Sequence, residues 1–438
     1  MWEPERTMWG PSDTKRMFSM FAMLDDVDEA ERKKGVEMLR KLDPETLRHV
    51  ASFFVMVFSS PHTSDRRVWA LRMMDHLEPR TLAPHAYTVV WELEDSDANV
   101  RAEALEMLGK LEPATLAQHA DVVATMLEDS AWSVLTSALQ TLGQLAPTAL
   151  AQYAKAVVLK LEDSDADVRA DALDTLGNLE PATLAQHADV VATMLKDSAW
   201  SVRTSALQTL GQLAPTALAQ YAEAVVLKLE DSVEEVRVAA LNALEELEPA
   251  TLAQYADTVA LNLEASLAYV RVEALLTLGK LEPATLAEYA EAVVLKLEDS
   301  DADVRSRALV VLRKMGPAAF AEHAHAVLDR LEDTEMNDNE FGFSLSWLGA
   351  VFNDERVRDV AMRTLRALPS SITRDVDFEA PNLRSRLLGR AVWYRCRRIF
   401  RARRIAFYWY ALPYRPSGPG HARDVEAWET MNKRIRHV

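Results

Sequence analysis

LEPATLAQHADVVATMLKDSAWSVRTSALQTLGQL, residues 179–213, is the stretch that decides how this chain folds. Its proline, Pro181, has counterparts at 79, 113, 147, 215, 249, 283 and 317, successive members of the series standing 34 residues apart, and Pro44 lies 35 residues before the first of them. A fixed period of this size means stacked copies of one supersecondary unit rather than a string of globular domains. The unit reads as two helices. Proline suits the first turn of a helix, where its missing N–H has no bond to lose. From there Leu184, Ala188, Val191 and Leu195 recur at i, i+4, i+7 and i+11, one helical face. Asp197-Ser198 interrupts, Val202, Ala206, Leu207 and Leu210 form a second apolar face, and Gly211 is expected to stop it. Ser164 with Asp167, and Ser300 with Asp303, have the S-x-x-D spacing of a helix cap. Neither helix can bury its stripe alone, so neighbouring units must complete the core, giving an all-α solenoid.

Composition agrees. Only 13 of 438 residues are glycine, below the ~7% of ordinary proteins and too few for Rossmann loops or many hairpins. One cysteine, Cys396, excludes a disulfide framework and a cysteine zinc site, and implies a reducing compartment, cytoplasmic or nuclear. The first residues carry acids and no apolar core, which predicts no secretory signal, and no apolar run reaches the ~20 residues of a membrane span. The net charge of −18 is uneven: residues 370–438 hold 15 Lys/Arg and 6 Asp/Glu, a balance of +9, which leaves −27 on residues 1–369.

A second motif recurs in phase with the proline: Asp-x5-Arg with Val just before the Arg. It pairs Asp95 with Arg101, Asp163 with Arg169, Asp197 with Arg203, Asp231 with Arg237 and Asp299 with Arg305. Arg271 keeps its place although Ala265 replaces the Asp, and Leu135 replaces an Arg. Phrases such as DSDADVRADALDTLGNL (163–179) resemble HEAT repeats, which share that Asp, Val and Arg across the turn and into the second helix. The resemblance covers roughly residues 28–369, although the proline of the first helix is displaced here to the helix start. It implies a right-handed superhelix of about nine to ten helical hairpins. The expected layout is an N-terminal arm (1–16), a solenoid (17–369) with an insertion at 333–352, a linker (370–381) and a basic aromatic tail (382–438).

Each repeated feature has a structural and a functional reading. In the ladder, each Asp is expected to hold the Arg of its own or the next unit by charge-assisted hydrogen bonds. Six residues after each proline stands His85, His119, Tyr153, His187, Tyr221, Tyr255, Tyr289 or His323. These cannot share a metal, because packed helices are ~8–10 Å apart whereas zinc ligands lie ~2 Å from one ion. They read as amphipathic rings packed along the first helices. Acid pairs at 94–95, 128–129, 162–163, 230–231, 298–299 and 332–333 form either a solvated capping edge or a face for a basic partner. Trp132 and Trp200, at equivalent positions, are expected to pack at the turn.

Residues 113–164 and 181–232 differ only at Glu128/Lys196, Leu135/Arg203 and Lys155/Glu223. Catalytic sites are singular, so a body of near-copies points to a binding surface, with no cofactor, no metal and no small-molecule substrate. No G-x-S-x-G, H-E-x-x-H or Walker sequence is present. The HEAT-repeat enzyme deoxyhypusine hydroxylase binds iron through His-Glu dipeptides, and none of the ten histidines here is followed by Glu.

The tail segment NLRSRLLGRAVWYRCRRIFRARRIAFYWYALPY (382–414) reads as one long helix. Arg386, Arg390, Arg397, Arg401 and Arg404 fall within about 60° on a helical wheel. Such a stripe suits docking on its own acidic solenoid, a protein partner, an anionic membrane or nucleic acid. The chain is thus expected to be a non-catalytic protein-binding scaffold or adaptor, with a membrane or nucleic-acid binder acting through the tail as the alternative.

Overall fold

A computed structural model of the chain describes residues 17, 19–23, 28–58 and 64–315. The chain divides into two compact units, Met1–His323 and Ala324–Val438, and every described residue lies in the first. Among the described residues all regular structure is helical, and helical pairs open at Pro44, Pro79, Pro113, Pro147, Pro181, Pro215, Pro249 and Pro283. The second helices of these pairs are Ser64–Met74, Ala98–Gly109, Trp132–Gly143, Ala166–Gly177, Trp200–Gly211, Glu234–Glu245, Ala268–Leu278 and Ala302–Lys314, each packed directly on the next. At the N-terminal end Phe21, Phe54 and Trp69 interlock, with Phe21–Phe54 and Phe54–Trp69 ring centroids 4.9 and 5.6 Å apart.

The first half of each unit corrects the expectation of one continuous helix. In the Pro181 unit it is a turn of α-helix (Pro181–Leu184), a bend, a short helix (Ala188–Thr193) and a 3-10 turn (Met194–Lys196). His187 sits at the bend with φ −116° and ψ 0°, and its N–H bonds three residues back to Leu184 at 2.9 Å. Leu184, Ala188, Val191 and Leu195 are all buried nonetheless. Apolar spacing specifies which residues face inward, and a bent segment satisfies it as well as a straight one.

The caps are also displaced by one residue from the serines. Asp165 caps the helix Ala166–Gly177, its Oδ1 accepting from the N–H groups of Asp167 and Val168 at 2.8 and 3.4 Å. Asp301 does the same for Asp303 and Val304 at 2.9 and 3.2 Å. A carboxylate there also meets the positive end of the helix. Gly211 ends its helix without entering the left-handed region. A Cβ on it would lie 3.6 Å from the Cα of Ala243, an ordinary contact, so an alanine would fit against the next unit.

One inter-unit tie escaped the sequence. Thr141, Thr175, Thr209 and Thr277 are buried on second helices with the hydroxyl in reach of a carbonyl of the preceding unit, that of Leu105, Leu139, Leu173 and Leu241, at 2.9, 3.0, 2.9 and 3.3 Å. In Thr175, Thr209 and Thr277 it shares its one proton with the carbonyl four residues back, at 2.7, 2.7 and 2.9 Å. Met107, Ala243 and Val311 occupy the same register, so the hydroxyl is dispensable. Thr209→Val, which keeps the shape, is expected to cost only about 0.5–1.5 kcal/mol in denaturant unfolding. A loss several times larger would mean that the threonine holds more than this one bond.

Candidate binding surface

The ladder runs in one direction, from the Arg of one unit to the Asp of the next. Arg203 Nε and Nη2 each donate at 2.9 Å to the carboxylate of Asp231, while Nη1 donates to the carbonyls of Asp197 and Ser198 at 2.9 and 3.0 Å. The Asp of the Arg's own unit therefore contributes its backbone, and that of the following unit its side chain. Arg169 grips Asp197 at 2.8 and 2.9 Å, Arg271 grips Asp299 at 2.7 and 2.6 Å, and Arg101 grips Asp129 at 2.7 and 2.9 Å. Arg67 pairs with Asp95. Arg305 donates to the carbonyls of Asp299 and Ser300, both at 3.0 Å. Asp129 and Arg67 were missed because each lacks the matching half of the motif within its own unit. The signal that finds them is register, since both stand a multiple of 34 residues from confirmed members.

Among the described residues two junctions lack the latch. Leu135 is buried where an Arg would stand, leaving Asp163 to accept only the N–H of Asp165, at 2.9 Å, with its side chain. At the other, Ala265 replaces the Asp that would receive Arg237. Glu234 stands in: its Oε1 lies 3.4 Å from Arg237 Nη2 and accepts from Ser266 Oγ of the next unit at 3.1 Å.

The aromatic ring series makes links rather than a metal site. The hydroxyls of Tyr153, Tyr221 and Tyr289 donate to Asp121, Asp189 and Asp257 of the preceding unit at 2.7, 2.8 and 2.8 Å. Burial, then the hydrogen bond and the carboxylate's charge, pushes Tyr153 and Tyr289 up to about 12. His119 is buried edge-on against Tyr87, ring centroids 4.8 Å apart, and burial pushes its pKa down. Among the described residues no group of three or more His, Cys, Asp or Glu is arranged to hold a metal, and no helix is long and apolar enough to cross a membrane. Trp132 and Trp200, each the first residue of a second helix, are half-exposed rather than packed at the turn. The arginine candidates Arg386, Arg390, Arg397, Arg401 and Arg404 lie outside the described residues.

Carboxylates crowd the row of second helices. Burial raises the pKa of Glu106, Asp174, Glu245 and Glu273. Asp171, which accepts from Gln140 Nε2 at 3.0 Å, is pushed up to about 6 by burial and by the charges of Asp174 and Asp167. The ladder behaves oppositely. Burial alone would raise Asp129, Asp197, Asp231 and Asp299, but the guanidinium and backbone N–H bonds outweigh it and hold them below the usual carboxylate value.

The signs then separate by pH. Between its ordinary 3.8 and about 6, Asp171 binds more proton folded than unfolded, so its unit loses stability as pH rises through that window. The ladder's contribution is complete above the ordinary carboxylate pKa and is lost as pH falls below it. Asp171→Asn is expected to flatten the pH 4–6 limb of stability and leave the acid limb intact. Carboxyl NMR titration supplies the check, and a midpoint for Asp171 near the ordinary aspartate value would refute it.

The comparisons with known proteins concern the fold. A HEAT-repeat family model matches residues 189–217. No curated protein sequence matches the chain. A chain in a homology model of the full-length AP-3 complex, in an intermediate open conformation, is similar at TM-score 0.60 and 14% identity over 89% of this chain and 75% of that one. Kap121p and a Kap121p mutant, in crystal structures, are each 14% identical, with TM-scores of 0.48 and 0.49 over 89% and 91% of this chain. This chain spans 46% of either. The family match falls on the Pro181 unit and the start of the next, and that unit is a near-copy of others in the stack. The described residues form an all-α solenoid of stacked helical hairpins, and the stretch matched at 189–217 is of HEAT type.

Proposed function

We propose that the protein is a non-catalytic scaffold or adaptor that binds another protein across an extended surface. The observation that carries this is the duplication: residues 113–164 and 181–232 are near-identical, so no side chain there is unique enough to be a catalytic group. The raised pKa values along the second helices add to it. A basic partner would relieve carboxylates that burial already makes costly to ionise. The similar chain of known architecture belongs to a multiprotein complex, the AP-3 complex.

The reading extends to the layout. The solenoid occupies 17–369, with an insertion at 333–352, as a right-handed superhelix of nine to ten hairpins. It follows an arm (1–16) and precedes a linker (370–381) and the tail (382–438). The single cysteine favours the cytoplasm or nucleus. A second reading rests on the sequence of the tail, where Arg386, Arg390, Arg397, Arg401 and Arg404 would share one face of a helix and suit an anionic membrane or nucleic acid. Affinity capture with mass spectrometry, with and without residues 382–438, tests the first reading. Liposome and RNA binding at two salt concentrations tests the second. Capture of the same partner by both forms supports the scaffold; salt-sensitive lipid or RNA binding that vanishes with the tail supports the alternative.

A further inference from the structure

Twelve residues after each opening proline, at the outer end of the first segment, stand Met56, Trp91, Thr125, Leu159, Thr193, Leu227, Leu261 and Leu295. The large ones face solvent: Trp91, Leu159, Leu227, Leu261 and Leu295 are 71, 69, 67, 70 and 61% exposed. An isolated exposed leucine needs no explanation, but Leu227, Leu261 and Leu295 hold the same register in three consecutive stacked units and make an apolar ridge, which Thr125 and Thr193 interrupt in earlier units. Copying accounts for part of it, since residues 289–300 repeat 221–232 exactly, but Met56, Trp91 and Leu261 stand in stretches of different sequence. Two of the three differences between the copies fall on the flanks of this ridge: Glu128/Lys196 three residues after Thr125/Thr193, and Lys155/Glu223 four residues before Leu159/Leu227.

Over the last three described units the flanks are mainly acidic, with Lys228 and Lys296 among them and Lys296 paired to Glu264 at 2.8 Å. Leu227 stands between Glu223 and Glu230, Leu261 between Asp257 and Glu264, and Leu295 between Glu291 and Glu298, all six exposed. Beside Leu261 the replacement of Asp by Ala265 leaves an open cavity of about 260 Å³, lined also by Thr258, Asn262 and Arg237.

We propose that the ridge Leu227–Leu261–Leu295 docks a basic amphipathic helix of a partner protein. This rests on the scaffold reading and names the surface and the chemistry of what it binds. Packed helices of successive units are ~10 Å apart, and an α-helix advances about 10.5 Å in seven residues. A helix laid along the stack with an apolar residue at every seventh position therefore meets one ridge side chain per unit. Lys or Arg beside each apolar residue meets the acidic flanks, and a bulky central residue enters the cavity at Ala265. This is the helix-in-groove mode of recognition with the acidic charge on the receptor.

The test uses the full chain and a 21-residue probe peptide with Leu at every seventh position and Lys on both flanks, against a scrambled peptide of equal composition. Fluorescence anisotropy is read at about 50 and 500 mM salt, which spans strong and weak screening. The heptad peptide is expected to bind and the scrambled one not. Leu227→Ser/Leu261→Ser/Leu295→Ser should weaken binding about tenfold or more at unchanged thermal stability. Glu223→Gln/Glu230→Gln/Glu291→Gln/Glu298→Gln should reduce the salt dependence. Leu261→Ser alone serves if the triple variant proves less stable. Equal binding of the two peptides, or undiminished binding by the serine variants, overturns the proposal. So does a dimer of the unaltered chain that the serine variants dissolve, because the occupant is then a second copy. A protein captured equally by the unaltered chain and the triple variant leaves the scaffold reading standing and removes this surface from it.

Discussion

Leu207→Ala will destabilise the centre of the stack by about 2–5 kcal/mol, the loss typical of a buried leucine that leaves a cavity its neighbours cannot refill. Leu207 is fully buried on Trp200–Gly211, a helix packed between Ala166–Gly177 and Glu234–Glu245. Both neighbours are fixed by their own inter-unit contacts, which limits collapse into the void. The damage should stay local, because in a solenoid each unit touches only the units beside it. Amide exchange is expected to quicken across 166–245 while Ala98–Gly109 keeps its protection. A uniform, all-or-none loss of protection along the chain would contradict the repeat organisation.

Arg203→Ala is expected to follow it, at about 1–3 kcal/mol, because removing one member of a part-buried pair leaves the other's desolvation uncompensated. Asp231 would lose both guanidinium bonds and keep only the N–H of Val233, at 3.0 Å. Arg203→Leu should be milder. The protein already carries that arrangement one duplication away, where buried Leu135 fills the space and Asp163 manages with a backbone N–H. Denaturant midpoints of the two variants make the comparison, and equal losses would show that packing by the leucine compensates nothing. In either variant the part of the acid limb that Asp231 supplies should shrink, since its depressed pKa depends on Arg203.

The second helices were legible because their chemistry is local: Val202, Ala206, Leu207 and Leu210 keep a helical period and all four are buried. The ladder was legible as a motif but not as a direction. The six-residue spacing of Asp197 and Arg203 suggests a pair within one unit, whereas the side-chain bond spans 28 residues, from Arg203 forward to Asp231. Only the stacking geometry supplies that partner. The bend at His187 carries no proline or glycine to announce it, and Thr209 reads as an ordinary polar residue until Leu173 is brought beside it. The ridge is written plainly in the proline register. What sequence lacks is the sign of exposure, since Leu195 and Leu227 are the same residue type, the one buried and the other open to solvent.

The two junctions without an Arg–Asp latch are three units apart, between Trp132–Gly143 and Ala166–Gly177 and between Glu234–Glu245 and Ala268–Leu278. Under tension these seams are expected to yield before the latched junctions do. The molecule is articulated at a coarser grain than its 34-residue period. One of the joints owes its place to a single residue, Leu135, where the otherwise matching copy has Arg203. Flexure in such a stack is thus set by point substitution at a latch, with the repeat itself left intact.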